Sequence, residues 1–216
     1  MMKIVIAGGH GKIALILEKS LAEAGHEPIG IIRNPAHAAD LLAVGASPLL
    51  LDLESTTAAA LADSLSEVDA VVFAAGGGPD SGPERKLTVD RDGAILLADA
   101  AAIAGVRRVV IVSAMSADDF DPESDDVFQI YLRAKSEADA YVRGLDLDWT
   151  IVRPGGLTDD AATGQVLAKE STGRGSIARA DVATLIAALL VDNLALNTQF
   201  EVIAGDSTID AALRAL

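Results

Sequence analysis

The chain contains no cysteine. That excludes disulfides, thiolate metal sites and a cysteine nucleophile. Basic residues are scarce: 17 Lys and Arg stand against 32 Asp and Glu, a formal net charge of −15. Nucleic-acid readers concentrate Lys and Arg on one face, so no DNA or RNA partner is expected. The acidity reads as a solubility feature. Aromatic residues are only 3% of the chain, so its core must be built mainly from Ala, Leu, Val and Ile. Apolar runs are short. None reaches the roughly 18 residues of a membrane span, and the first, Lys3–Ala7, ends in glycines before it could serve as a secretory signal. His10, His26 and His37 lack metal-ligand spacing, and the acidic run Asp118–Asp126 lacks that of a calcium loop. The expectation is a cytoplasmic protein without a metal, a monomer or weak homodimer acting on a small molecule. His26 and His37 read as surface residues near helix ends.

What is present is alternation. Strand-like runs lie at Lys3–Ala7, Pro28–Ile32, Ser47–Leu51, Ala70–Ala74, Arg108–Val112, Trp149–Arg153 and Phe200–Ile203, and several of them are almost wholly apolar. Strands buried on both faces of a parallel sheet have that composition. Helical stretches lie between them at Lys12–Ala24, Pro35–Val44, Thr57–Ser64, Lys86–Ala104, Asp126–Arg143 and Arg179–Leu190. The pattern predicts an α/β fold, a Rossmann-like doubly wound, mostly parallel sheet with helices on both faces. One nucleotide-binding domain spans 1–216, with small substrate-side elements from about residue 155. Ligands in such folds sit at the carboxyl ends of the strands.

The first strand runs into Gly8, Gly9, His10, Gly11, Lys12 and Ile13. Glycine there permits the tight strand-to-helix turn and lets backbone amides approach a pyrophosphate, whose charge the helix dipole favours. Ala14 is small enough for close helix–strand packing. Arg33 follows the second strand, where an acidic residue would favour NAD through the ribose hydroxyls. Arginine offers a donor fork to a 2′-phosphate, so NADP(H) is expected over NAD(H), with help from Lys12 or His10. Asp52 and Leu53 follow the third strand and suit an adenine. Ala74, Ala75 and Gly76 follow the fourth, leaving room for a dinucleotide to cross, and Gly76–Pro79 reads as a mobile loop.

Ser113 ends the fifth strand, and the next helix carries Tyr131 and Lys135 four apart, on one face. An ammonium beside a phenol favours phenolate. Tyr131 can then exchange a proton with a substrate oxygen, Lys135 can hold the nicotinamide ribose, and Ser113 can orient that oxygen. After the sixth strand, Pro154 fixes a turn and Gly155, Gly156 and Leu157 offer backbone amides to a carboxamide. The polar, Gly-rich stretch Thr158–Ser176 reads as a flap over the site.

In this order the motifs Gly8-x-x-Gly11-x-x-Ala14, Arg33, Asp52-Leu53, Ala74-Ala75-Gly76, Ser113, Tyr131-x-x-x-Lys135 and "DWTIVRPGGL" resemble the short-chain dehydrogenase/reductase superfamily. More narrowly, they are similar to its atypical NAD(P)H-binding, epimerase/dehydratase-like group. The resemblance spans nearly the whole chain and implies a Ser–Tyr–Lys catalytic set. It also implies an asparagine in the helix after the fourth strand, where this chain has Asp90. Only about 60 residues follow "RPGGL", so a small substrate is expected over a nucleotide sugar. The leading expectation is an NADP(H)-dependent oxidoreductase acting on a small carbonyl, quinone or flavin-like compound. The alternatives are a non-catalytic NADP(H)-binding redox sensor and an epimerase or dehydratase that retains its cofactor.

Overall fold

The computed structural model describes residues 1–78 and 80–216. Pro79, part of the expected mobile loop, lies outside the described residues. The apolar runs form parallel strands β1 (Lys3–Ala7), β2 (Glu27–Ile32), β3 (Ser47–Leu50), β4 (Ala70–Phe73), β5 (Arg108–Val112), β6 (Asp148–Pro154) and β10 (Thr198–Ala204). Three strands were not anticipated within or beside the 158–176 stretch: β7 (Gly156–Thr158), β8 (Gln165–Lys169) and β9 (Ser176–Ala178). A two-residue strand, β11 (Ser207–Thr208), lies near the carboxyl end. The main sheet has the order β11-β8-β10-β6-β5-β4-β1-β2-β3. It is parallel from β3 to β10, and β8 adds antiparallel to β10. β1 lies between β2 and β4, so the chain reverses its winding there and opens a crevice at the strand ends.

Alternation along β1 shows how both faces are filled. Ile4 and Ile6 join one core with Leu17 and Leu21 of α1 (Lys12–Glu23) and Leu185 and Leu189 of α7 (Arg179–Val191). Val5 and Ala7 join the other, with Leu61 of α3 (Ala58–Asp63), Leu97 and Ala101 of α5 (Asp92–Ala104) and Val142 of α6 (Val127–Arg143). A smaller cluster packs Leu41 of α2 (Ala38–Ala43) on Ile32. A short helix α8 (Ile209–Arg214) closes the chain and adds Leu213 to the first core.

Two sequence expectations are corrected here. The single helix over Lys86–Ala104 is two segments, a π-helical stretch Lys86–Arg91 and α5, and a short helical turn, α4 (Pro83–Arg85), precedes them. Asp90 lies in this π-helical stretch and is buried, at 1% exposure. The expected flap is partly sheet, because Val166 and Ala168 of β8 are buried in alternation while β8 pairs with β10.

Candidate active site

Gly8 follows β1 at φ +82°, and a Cβ there would come within 2.6 Å of the Ala75 Cα. A Cβ on Gly9 would come within 2.6 Å of the Gly30 Cα. Glycine at these positions is therefore fixed by close approach to β4 and β2. Helix α1 then starts with no side-chain cap and no acidic residue in its first turn. Its opening amides and the positive end of its dipole are left for an anion. That fits a pyrophosphate.

Two cavities meet at Ala74, Ala75 and Gly76. The first is lined by Gly8, His10, Gly11, Arg33, Asp52 and Leu53 among others. Glu54, Arg85 and His37, which the sequence reading did not place at a site, also line it. Glu54 Oε2 lies 3.0 Å from a guanidinium nitrogen of Arg85 and 3.6 Å from one of Arg33. One carboxylate thus draws two guanidinium groups to one rim. The His10 and His37 rings stack at 3.6 Å, and His10 Nε2 meets Asp40 at 2.8 Å. His37 stands at the end of a short 3-10 turn, Pro35–His37, as its surface reading expected, and it also lines this cavity. Asp52 Oδ1 accepts the Glu54 amide at 3.0 Å and so fixes the turn that carries Glu54. Lys12 reaches away from Arg33, to Asp159 at 2.5 Å.

The second cavity, of about 650 Å³, is lined by Ile13, Ser113, Tyr131, Lys135, Asp90 and Leu157, together with Lys86, Phe128 and Arg179. Tyr131 and Lys135 share one face of α6, whose start Asp126 caps by accepting the Phe128 and Gln129 amides. The Lys135 ammonium is 3% exposed, sits 5.8 Å from the Tyr131 ring centroid, donates to Val112 O at 3.2 Å and pairs with Asp90 Oδ1 at 3.3 Å. Asp90 Oδ2 accepts the Gly77 amide at 3.0 Å. Burial alone would discharge Lys135, but Tyr131, Asp90 and Asp139 outweigh it and hold the ammonium above its ordinary pKa. Asp90 therefore acts as the lysine's counter-ion.

The electrostatics of Tyr131 differ from the sequence expectation. Lys135 does pull toward phenolate, but burial is the larger effect, and Asp90 and Asp139 add to it. The net shift is upward, so Tyr131 is a protonated donor at neutral pH. Ser113 also departs from expectation: its hydroxyl donates inward to Asp139 Oδ2 at 2.6 Å. Asp139 further receives Arg153, whose nitrogens lie 2.8 and 2.9 Å away, and Arg153 continues to Asp118 at 2.7 and 2.9 Å. Pairing with Arg153 drives the Asp118 carboxyl down to about 2, while burial raises that of Asp139. The acidic run is thus anchored at Asp118.

The glycines after β6 are engaged as well. Gly155 donates to Val202 O and Gly156 to Gly175 O, each at 2.9 Å. Their amides are spent on β10 and on the Gly175 turn, not offered to a carboxamide, and a Cβ on Gly155 would strike Gly175 O at 2.4 Å. Pro154 O accepts the Met115 amide, so the turn after β6 is tied to the one after β5. Of that segment, Leu157 alone lines the second cavity.

A glycine turn at a winding reversal, opening on two joined cavities, is the geometry of a dinucleotide crevice. The profile of a family described as NAD(P)H-binding matches residues 8–193. The chain belongs to that NAD(P)H-binding family. The family's match begins at the glycine turn and runs through α7. The chain is 35% identical over 216 residues to the uncharacterized sugar epimerase YhfK of Bacillus subtilis, covering 100% of both chains. Among solved structures, a provisionally named NAD-dependent epimerase/dehydratase of Bacillus halodurans superposes with a TM-score of 0.90 at 33% identity, with 100% of both chains covered. The oxidoreductase ylbE of Lactococcus lactis superposes at 0.85 with 28% identity, covering 100% of this chain and 96% of that one. This NAD(P)H-binding chain is therefore an atypical, epimerase/dehydratase-like short-chain dehydrogenase/reductase, as its motifs indicated. Among the described residues no cluster of His, Asp and Glu is arranged to hold a metal ion, and no helix is long and apolar enough to cross a membrane.

Proposed function

We propose that the chain is an NADP(H)-dependent reductase of small carbonyl, quinone or flavin-like compounds. The carrying observation is a protonated Tyr131 lining a cavity beside the buried Lys135–Asp90 pair. When bound, the nicotinamide supplies a hydride. The Tyr131 hydroxyl gives its proton to the substrate oxygen, and the phenolate left behind faces the Lys135 ammonium until solvent reprotonates it. Asp90 fixes the position of that ammonium. Lys135 has three donors; two are used by Val112 O and Asp90, and the third serves a ribose hydroxyl. Ile13, Phe128 and Leu157 supply apolar surface to the cavity. Ser113 positions Asp139 and can accept a proton-bearing group, but its own proton is committed inward. In the first cavity, Arg33 and Arg85 support the choice of NADP(H).

NADPH oxidation monitored across carbonyls, quinones and flavins tests the reading; consumption with at least one class is expected. The names of two relatives favour a second reading, epimerase or dehydratase chemistry with retained cofactor. Conversion of a substrate without net NADPH consumption would select it. Tight NADPH binding with no conversion would point to a sensor.

A further inference from the structure

Lys86 is not part of the acid–base set, yet its side chain is held inside the second cavity at 6% residue exposure. Its ammonium lies 5.6 Å from the Tyr131 ring centroid, the same ring that Lys135 approaches at 5.8 Å. It donates to one backbone carbonyl, Gly78 O, at 2.5 Å. Among the described residues no carboxylate lies within ion-pair distance of it. The acidic groups lining this cavity are already used: Asp90 by Lys135 and the Gly77 amide, and Asp126 by the first amides of α6. A buried ammonium without a counter-ion costs several kcal/mol in general. It is the more notable in a chain of formal net charge −15, where acidic partners outnumber basic ones.

A second cation reaches the same cavity. Arg179, at the start of α7, lines it and pairs with Asp159 at 2.7 Å. Asp159 is exposed and is shared with Lys12, so the guanidinium is held at the rim without being neutralised deep inside. Phe128 is 60% exposed and lies 6.0 Å from Tyr131, ring centroid to centroid, which gives the cavity an aromatic wall.

We infer that the substrate carries a carboxylate, which seats on Lys86 with Arg179 at its outer side, while a planar apolar body lies against Phe128 and its carbonyl meets Tyr131. This rests on the reductase reading of the same cavity and narrows it to oxo- or formyl-acids with a planar, apolar body. A phosphate of the cofactor could in principle satisfy the same ammonium, so the test separates the two anions. Protein saturated with NADP⁺ is titrated calorimetrically with 4-(hydroxymethyl)benzoate and with its methyl ester. The acid should bind at least about 10-fold more tightly than the ester, as expected for one desolvated charge-assisted contact. Lys86→Gln and Arg179→Gln should each abolish that preference while leaving NADPH affinity unchanged. If Lys86→Gln does not fold, Arg179→Gln carries the comparison alone. Equal binding of acid and ester overturns the inference, and so does a loss of NADPH affinity in Lys86→Gln, which would assign the ammonium to the cofactor. Selective acid binding with no reduction of 4-formylbenzoate would leave the anion site standing and defeat the reductase reading instead.

Discussion

Glu18 offers a test of the fold beneath the cofactor turn. It lies on the buried face of α1 with Ala14, Leu17 and Leu21, at 0% exposure. Neither carboxyl oxygen has a hydrogen-bond partner. A Cβ on Gly30 would come within 2.4 Å of Glu18 Oε1, and one on Gly9 within 3.0 Å, so the group is wedged under the glycine turn. Burial raises its pKa from 4.5 to about 8. A folded pKa above the unfolded one means the native state binds more protons between these values. Stability from the protonated form is complete below pH 4.5 and is lost as pH rises toward 8. At about 1.4 kcal/mol per pH unit, the loss is roughly 3 kcal/mol by pH 7 and about 5 across the window. Glu18→Leu removes the titrating group and keeps an apolar side chain against Gly30. Urea unfolding of both proteins at pH 5, 7 and 8.5 isolates the effect, because all other groups are shared. The Leu variant should gain several kcal/mol over the parent between pH 5 and 8.5. A difference between the two proteins that does not change with pH would refute the argument.

Three further outcomes follow from the site geometry. Asp90→Asn strands the Lys135 ammonium in the interior and should cost about 3–5 kcal/mol in urea unfolding; a change under about 1 kcal/mol would mean the pair does not hold the lysine. Gly8→Ala places a Cβ 2.6 Å from Ala75 at φ +82° and should cost about 1–3 kcal/mol, with a matching loss of nucleotide affinity by calorimetry. Arg33→Ala and Arg85→Ala should each weaken NADPH about 10-fold and NADH much less; equal losses for both nucleotides would remove these guanidiniums from 2′-phosphate recognition.

Much of this arrangement was legible in the residues. Apolar runs such as "RVVIV" and "IVIA" placed the parallel strands to within a residue or two, because a strand buried on both faces has few compositional options. The edge was harder. In β8 only Val166 and Ala168 face the interior, and the surrounding glycines and polar residues read as a loop. The placement of Tyr131 and Lys135 followed from helical spacing, but the direction of the Tyr131 shift did not, because it depends on burial and on carboxylates brought from other elements. Asp139 was within reach of the same reasoning, four residues beyond Lys135 on the same helix. Arg153, a charge inside the apolar run "TIVRP", was the signal that a buried acid must answer it. Lys86 gave no such signal: it opens the π-helical stretch before α5, and only the fold shows that it lines the cavity.

The central claim is that Tyr131 serves the chemistry and not the binding of cofactor. Tyr131→Phe, compared with the parent for NADPH affinity by calorimetry and for NADPH oxidation with a substrate the parent reduces, tests it most directly. Affinity should stay within about twofold while turnover falls about 10²–10⁴-fold, the range for loss of a general acid. Undiminished turnover, or a loss of NADPH affinity that accounts for the whole decline, would contradict the assignment.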